Sequence, residues 1–135
     1  MAETAKKKIL VVDDEIHITT LLKITLELNG YSVAVARDGM EALEKVPTES
    51  PDLILLDIKM PRMNGWQVCE KLKSDESTKN IPVIMVTAFS QKEARERSIA
   101  LGASDFIGKP FESPVLLDRI KKVLEDPSSP PQQTP

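Results

Sequence analysis

Residues Leu53-Ile54-Leu55-Leu56 carry four apolar side chains straight into a carboxylate, Asp57, and the chain then breaks at Met60-Pro61 and Asn64-Gly65. An apolar run of that length between turn signals fits a strand buried on both faces, as in a parallel sheet. The proline and the Asn-Gly pair force a loop at its exit. Asp57 is thus expected where a buried strand leaves the sheet, the place where open α/β sheets bind ligands. A charge set there is costly unless something pairs with it. The remainder of the chain has to supply the partner.

Ile9-Leu10-Val11-Val12 repeats the design and ends in Asp13-Asp14-Glu15. From Ile16 to Leu28 the apolar residues fall at helical spacing, with Asp14 as the expected N-cap and Gly30 as the stop. Residues 31–36 read as a short strand. Asp38-Gly39 turns into a helix over 40–46 that Pro47 is expected to end. After the Asp57 loop come a helix over 65–73, a polar loop over 74–80 and an apolar strand over 82–86 that ends at Thr87-Ala88. A charged helix over 91–101 stops at Gly102, a short strand over 104–107 runs into Lys109-Pro110, and an amphipathic helix over 112–125 closes the series. Ser113-Pro114 suits the first turn of that last helix. Strand and helix alternate five times, which predicts one α/β domain: a parallel five-stranded sheet with helices on both faces.

At 135 residues the chain is long enough for one real core, and 41% apolar with 29% charged residues places it among ordinary globular domains. No apolar run approaches a membrane span, and the lysine-rich start lacks the apolar stretch of a signal peptide. A single cysteine, Cys69, excludes an internal disulfide, and a net charge of −3 argues against direct nucleic-acid binding. A cytoplasmic protein without membrane contact is the expectation. Cys69 and Trp66 read as packing residues, and His17, the only histidine, as a surface residue. Residues 1–7 read as an N-terminal extension and 8–125 as the domain. Residues 126–135, rich in Pro, Ser and Gln, read as a disordered tail or a truncated linker.

Four of the five strands end in a chemically capable group: Asp13 with Asp14, Asp57, Thr87 and Lys109. In a parallel sheet those ends share one edge. Three carboxylates gathered there repel one another, and two remedies are expected: one protonates, or a hard divalent cation binds. Oxygen ligands without His or Cys select Mg²⁺. Asp57 is then a nucleophile able to form an aspartyl phosphate. Asp13 and Asp14 hold the metal or its waters, while Lys109 and Thr87 bind phosphoryl oxygens. The joint pattern reads as a phosphoryl-transfer site.

At these residues the chain resembles the receiver domains of two-component response regulators, chemotaxis-type regulators included. The resemblance runs from about residue 8 to 125. Val12-Asp13-Asp14, Asp57 through Met60-Pro61 to Gly65, Thr87-Ala88 and Lys109-Pro110-Phe111 carry it. It implies a doubly wound, flavodoxin-like sheet in the order 2-1-3-4-5 with five helices. It implies that Asp57 is phosphorylated by a histidine kinase or histidine phosphotransfer protein. It implies a Mg²⁺ site of Asp13, Asp14, Asp57 and the backbone carbonyl of Lys59. Thr87, Ala88 and Lys109 would bind the phosphoryl group, Thr87 and Phe106 would form a switch pair, and the Lys109–Pro110 bond would be cis. The face made by the fourth helix, fifth strand and fifth helix, residues 91–124, would shift and meet a downstream protein, with a phosphorylation-linked dimer as one outcome. Such a domain is a switch with limited self-catalysed gain and loss of phosphate rather than an enzyme.

Phe106 stands where the family commonly has tyrosine. Lys59 and Phe89 stand two residues beyond Asp57 and Thr87, where bulk is expected to shield the phosphoryl group from water. Two other readings remain open. An aspartyl-phosphate phosphohydrolase would carry a second acid two positions after the nucleophile, where this chain has Lys59. A receiver-like binding module would lack Asp57, Lys109 or the acidic pair.

Overall fold

The computed structural model describes residues 6–89 and 91–126. Its elements alternate as β1 (Lys8–Val12), α1 (Ile16–Leu28), β2 (Ser32–Ala36), α2 (Gly39–Glu49) and β3 (Leu53–Leu56). They continue as α3 (Gly65–Ser74), β4 (Val83–Thr87), α4 (Lys92–Ala100), β5 (Asp105–Gly108) and α5 (Ser113–Glu125). The five strands form one parallel sheet in the order β2-β1-β3-β4-β5, a doubly wound α/β fold. The order reverses between β1 and β3, so the crevice at their carboxyl ends is the topological switch point.

Alternation of side chains along the strands sorts the core into two layers. Leu10, Val12, Ile54, Leu56 and Met85 pack with α2, α3 and α4 through Val46, Val68, Leu72 and Ala94. Ile9, Val11, Leu53, Leu55, Ile84 and Val86 face α1 and α5 through Leu22, Leu26, Leu116 and Ile120. All four side chains of β3 are buried. At about 1.5–3 kcal/mol for each fully buried Leu or Ile, their transfer from water outweighs holding a partnered carboxylate at the strand's end.

Two helix boundaries differ from the sequence expectation. The N-cap of α1 is Glu15, not Asp14, and it makes no side-chain cap bond. The Glu15 N–H instead donates to the Asp13 carboxylate at 2.9 Å. Pro47 lies inside α2 and does not end it. It stands so near the C-terminus that its missing N–H removes one bond, to the carbonyl four residues back, while the Ser50 N–H still closes the helix on Val46. Of the expected disordered tail only Asp126 is described, as the C-cap of α5; the rest, and residues 1–5 of the extension, lie outside the described residues.

Candidate functional site

The ends of β1 and β3 set Asp13 and Asp57 side by side, because Val12 and Leu56 are register partners. The Asp57 N–H donates to the Val12 carbonyl at 3.0 Å, and the Asp13 N–H to the Ala36 carbonyl at 3.2 Å. Both carboxylates are buried, whereas Asp14 is exposed. Oxygens of all three lie within 4.8 Å of one another.

The partner Asp57 requires comes from the far edge of the sheet. Lys109 Nζ lies 2.5 Å from Asp13 Oδ2 and 3.4 Å from Asp57 Oδ2. An ammonium therefore stands between two of the three carboxylates. Burial pulls the Lys109 pKa down, but the bond to Asp13 and the charges of Asp57 and Asp13 outweigh it and hold the lysine above its ordinary value. Three carboxylates facing one ammonium still leave excess negative charge. A donor set made only of carboxylate oxygens fits a hard divalent cation such as Mg²⁺.

β4 brings Thr87 to the same edge. It is fully buried, and its Oγ1 accepts from the Phe89 N–H at 3.1 Å, which leaves the hydroxyl a proton to give. Ala88 follows it, exposed. Phe106 on β5 is the register partner of Met85, two residues short of Thr87, and its ring is buried in the α2–α3–α4 layer. The Lys59 N–H reaches Asp57 Oδ1 at 3.4 Å. The Lys109–Pro110 bond is cis.

Gly65 fixes how near α3 comes to the nucleophile. Its N–H donates to the Ile58 carbonyl at 2.8 Å, and a Cβ there would stand 2.2 Å from the Asp57 carbonyl oxygen. Asn64 and Gln67 form a capping box that starts α3 at this point.

A scan of family models matches residues 9–121 to the response regulator receiver domain. The chain belongs to that family. The alkaline phosphatase synthesis transcriptional regulatory protein PhoP of Bacillus subtilis is 44% identical over 118 residues, 87% of this chain and 48% of that protein. The transcriptional regulatory protein CpxR homolog of Haemophilus influenzae is 44% identical over 123 residues, 91% of this chain and 52% of that one. The chain thus spans about half the length of these curated relatives. Among solved structures, chemotaxis protein CheY4 of Vibrio cholerae superimposes with a TM-score of 0.83 at 34% identity, covering 88% of this chain and 99% of that one.

This receiver domain also carries an arrangement that no strand-end pattern reveals. Lys59 Nζ lies 4.8 Å from the centre of the Phe89 ring, and Phe89 meets Trp66 edge-on at 5.7 Å. Arg97 stacks over Trp66 at 4.2 Å. Trp66 Nε1–H donates to Ser98 Oγ at 2.9 Å, and that hydroxyl donates to the Ala94 carbonyl at 2.8 Å. A continuous set of contacts therefore joins the loop after Asp57 to α4. A cavity of about 380 Å³ opens beside it, walled by Asp14, Lys59, Met60, Asn64, Trp66 and Phe89. The signal available in the sequence was only that Lys59 and Phe89 follow Asp57 and Thr87 at the same offset of two. Among the described residues, no helix is long and apolar enough to cross a membrane.

Proposed function

We propose that Asp57 of this receiver domain accepts a phosphoryl group from a phosphohistidine of a kinase or phosphotransfer protein. A carboxylate oxygen of Asp57 attacks phosphorus. The phosphorus–nitrogen bond breaks, its electron pair returns to the donor imidazole, and that ring takes up a proton. An acyl phosphate remains on Asp57. The observation that carries the reading is the meeting of Asp13, Asp14 and Asp57 within 4.8 Å at the switch point, with the Lys109 ammonium against two of them.

Asp13, Asp14, Asp57 and the backbone carbonyl of Lys59 would hold Mg²⁺, which when bound neutralises charge on the transferring group. Lys109 exchanges Asp13 for a phosphoryl oxygen, and the Thr87 hydroxyl donates to another, with Ala88 beside it. Thr87 and Phe106 act as the switch pair. The ring of Phe106 is already buried, so the phosphoryl group biases an inward packing that the chain itself favours. The readout face is α4, β5 and α5, residues 91–124. It serves a downstream protein or an output domain, as the names of the transcriptional relatives suggest, and a phosphorylation-linked dimer is one form of that readout.

Mass spectrometry after incubation with acetyl phosphate, with and without Mg²⁺, tests the reading on the wild type and on Asp57→Asn. One added phosphoryl group that requires both Asp57 and the metal is expected. An adduct that persists in Asp57→Asn, or none in any condition even with beryllofluoride as a mimic, refutes it.

A further inference from the structure

β2 is the outermost strand of the sheet, so one side of its backbone pairs with β1 and the other side has no strand beside it. Successive residues of a strand turn their backbone groups to opposite sides. The Ser32 N–H donates to the Lys7 carbonyl at 2.9 Å, and the Ala36 carbonyl accepts from the Asp13 N–H at 3.2 Å, so these residues face β1. Val33, Val35 and Arg37 therefore turn their backbone groups outward. The segment that forms this edge, Tyr31-Ser32-Val33-Ala34-Val35-Ala36, holds no charge, no proline and no glycine. A run of that kind on a sheet edge is a template for the identical run of another molecule.

Two side chains of α2 stand on that edge. Glu41 Oε1 accepts from the Arg37 N–H at 2.8 Å, and Lys45 Nζ donates to the Val35 carbonyl. The other Glu41 oxygen holds Lys45 at 3.0 Å, one helical turn along. The Arg37 N–H first, and Lys45 after it, keep the Glu41 carboxyl below its ordinary pKa, so the acceptor is charged at neutral pH. At the start of the strand the Tyr31 N–H is taken up by the Leu26 carbonyl at 3.1 Å.

We propose that Glu41 and Lys45 are an edge guard, which keeps β2 from pairing with the β2 of a second copy of this chain. Pairing about a twofold axis sets the two strands antiparallel, and its bonds come as reciprocal pairs between outward-facing residues. With the axis at Ala34, Val33 pairs with Val35 of the other copy, twice, and both pairs use the Val35 carbonyl. With the axis at Val35, that residue pairs with its own copy and Val33 pairs with Arg37, which uses the Val35 carbonyl and the Arg37 N–H. With the axis at Val33, the flanking pairs join Val35 to Tyr31 and use the Val35 carbonyl again. An axis nearer the start of the strand uses the Tyr31 N–H, which Leu26 holds. Glu41 and Lys45 thus occupy the groups that every other register of more than one reciprocal pair demands. Charged side chains on an edge commonly repel a second strand; these two bind the backbone groups themselves. The guard is independent of phosphoryl transfer to Asp57.

Sedimentation equilibrium with residue-resolved amide exchange, from about 50 μM to about 1 mM, a range that brackets a weak interface, tests the guard. In the wild type the Arg37 N–H is expected to be protected, and the Val33 and Val35 N–H groups to exchange at rates independent of concentration. Glu41→Ala combined with Lys45→Met removes both blocks and keeps an apolar stem at position 45. That double variant should associate about tenfold more tightly than the wild type or better, and its Val33 and Val35 amides should slow as concentration rises. Adding Val33→Pro removes an outward N–H and no bond to β1, and should return the double variant to the behaviour of the wild type. A dimer formed through α4, β5 and α5 leaves these two amides unslowed, so the readout belongs to the edge alone. Val33 and Val35 protection that grows with concentration in the wild type overturns the proposal, as does an Arg37 N–H that exchanges freely there. A double variant whose Val33 and Val35 amides exchange as in the wild type, or whose association survives Val33→Pro, overturns it as well.

Discussion

Lys109 Nζ lies 2.5 Å from Asp13 Oδ2, across 96 residues of chain, and nearer to it than to Asp57. The lysine that would receive a phosphoryl oxygen is thus occupied by one of the residues that would hold a metal. Lys109→Met removes the ammonium and leaves two buried carboxylates facing each other. Breaking such a pair from one side costs about 3–5 kcal/mol when fully buried, and somewhat less at this partly open edge. Urea unfolding should show that loss. Added Mg²⁺ should restore more stability to Lys109→Met than to the wild type, because the cation no longer competes with the ammonium for Asp13. Asp57→Asn, which keeps the Lys109–Asp13 contact, should fold and shift stability by less than about 1 kcal/mol in either direction.

The same pair sets an alkaline limit. The folded pKa of Lys109 is raised, so its contribution is complete below its unfolded value, about 10.4, and is lost as pH climbs through the higher folded value. Stability of the wild type should therefore fall above about pH 10.4, and Lys109→Met should lack that part of the decline. Equal slopes for the two proteins would contradict the pairing.

Asp105 and Arg119 form a second buried pair, beneath β5 and α5. One guanidinium nitrogen, Nη1, reaches both carboxylate oxygens at 3.3 Å, without the two-nitrogen fork that makes such pairs strong. Burial therefore wins, and the Asp105 pKa is raised despite the Phe106 N–H and the arginine. A raised carboxylate costs stability once ionised, and that cost is relieved as pH falls from the folded value through the unfolded one near 3.9. Arg119→Met should cost several kcal/mol, on the order of a broken buried pair, and the double variant Asp105→Asn with Arg119→Met should recover much of it. Thermal unfolding between pH 7 and pH 4 should show Arg119→Met gaining on the wild type as Asp105 takes up its proton.

Gly65→Ala tests how α3 is set against the nucleophile. A methyl group 2.2 Å from the Asp57 carbonyl oxygen meets backbone, which has no rotamer to move aside. Overpacking of this kind costs about 1–3 kcal/mol or more. Phosphoryl uptake from acetyl phosphate should slow as Asp57 shifts, and an uptake rate equal to that of wild type would show that the loop accommodates the methyl group freely.

The strands were legible as apolar runs, and the edge they share because four of the five end in a group with chemistry: Asp13, Asp57, Thr87 and Lys109. Alternation alone fixed which edge those ends occupy. The partner chosen by Lys109 was not legible, since an ion pair 96 residues apart depends on the order of strands, and the order came from the resemblance. The Trp66–Ser98 bond and the Asp105–Arg119 pair are tertiary in the same way. Pro47 misled because a proline near a helix end removes one bond without stopping the helix. Asp14 misled because the helix begins at Ile16 with Glu15 as its N-cap, and the Asp14 carboxylate stands exposed beside those of Asp13 and Asp57.

Phe89 links the site to α4. Its ring is held between the Lys59 ammonium and the edge of Trp66, and Trp66 is held in turn by Ser98. An aromatic pair of this geometry is worth about 0.5–1.5 kcal/mol and an exposed cation–π contact about 0.5–1, enough to keep the ring at the rim of the site most of the time. A ring kept there is expected to limit the approach of water to a phosphoryl group on Asp57. Phe89→Ala should shorten the lifetime of the phosphorylated chain several-fold, followed as loss of the adduct by mass spectrometry. Ser98→Ala frees the Trp66 N–H and loosens the ring from one side, so its lifetime should fall between the two. Trp66 emission should change on phosphorylation in the wild type and change less in Phe89→Ala, where the ring that couples it to the site is gone. A lifetime that barely shortens in Phe89→Ala would mean that the ring stands clear of the attacking water.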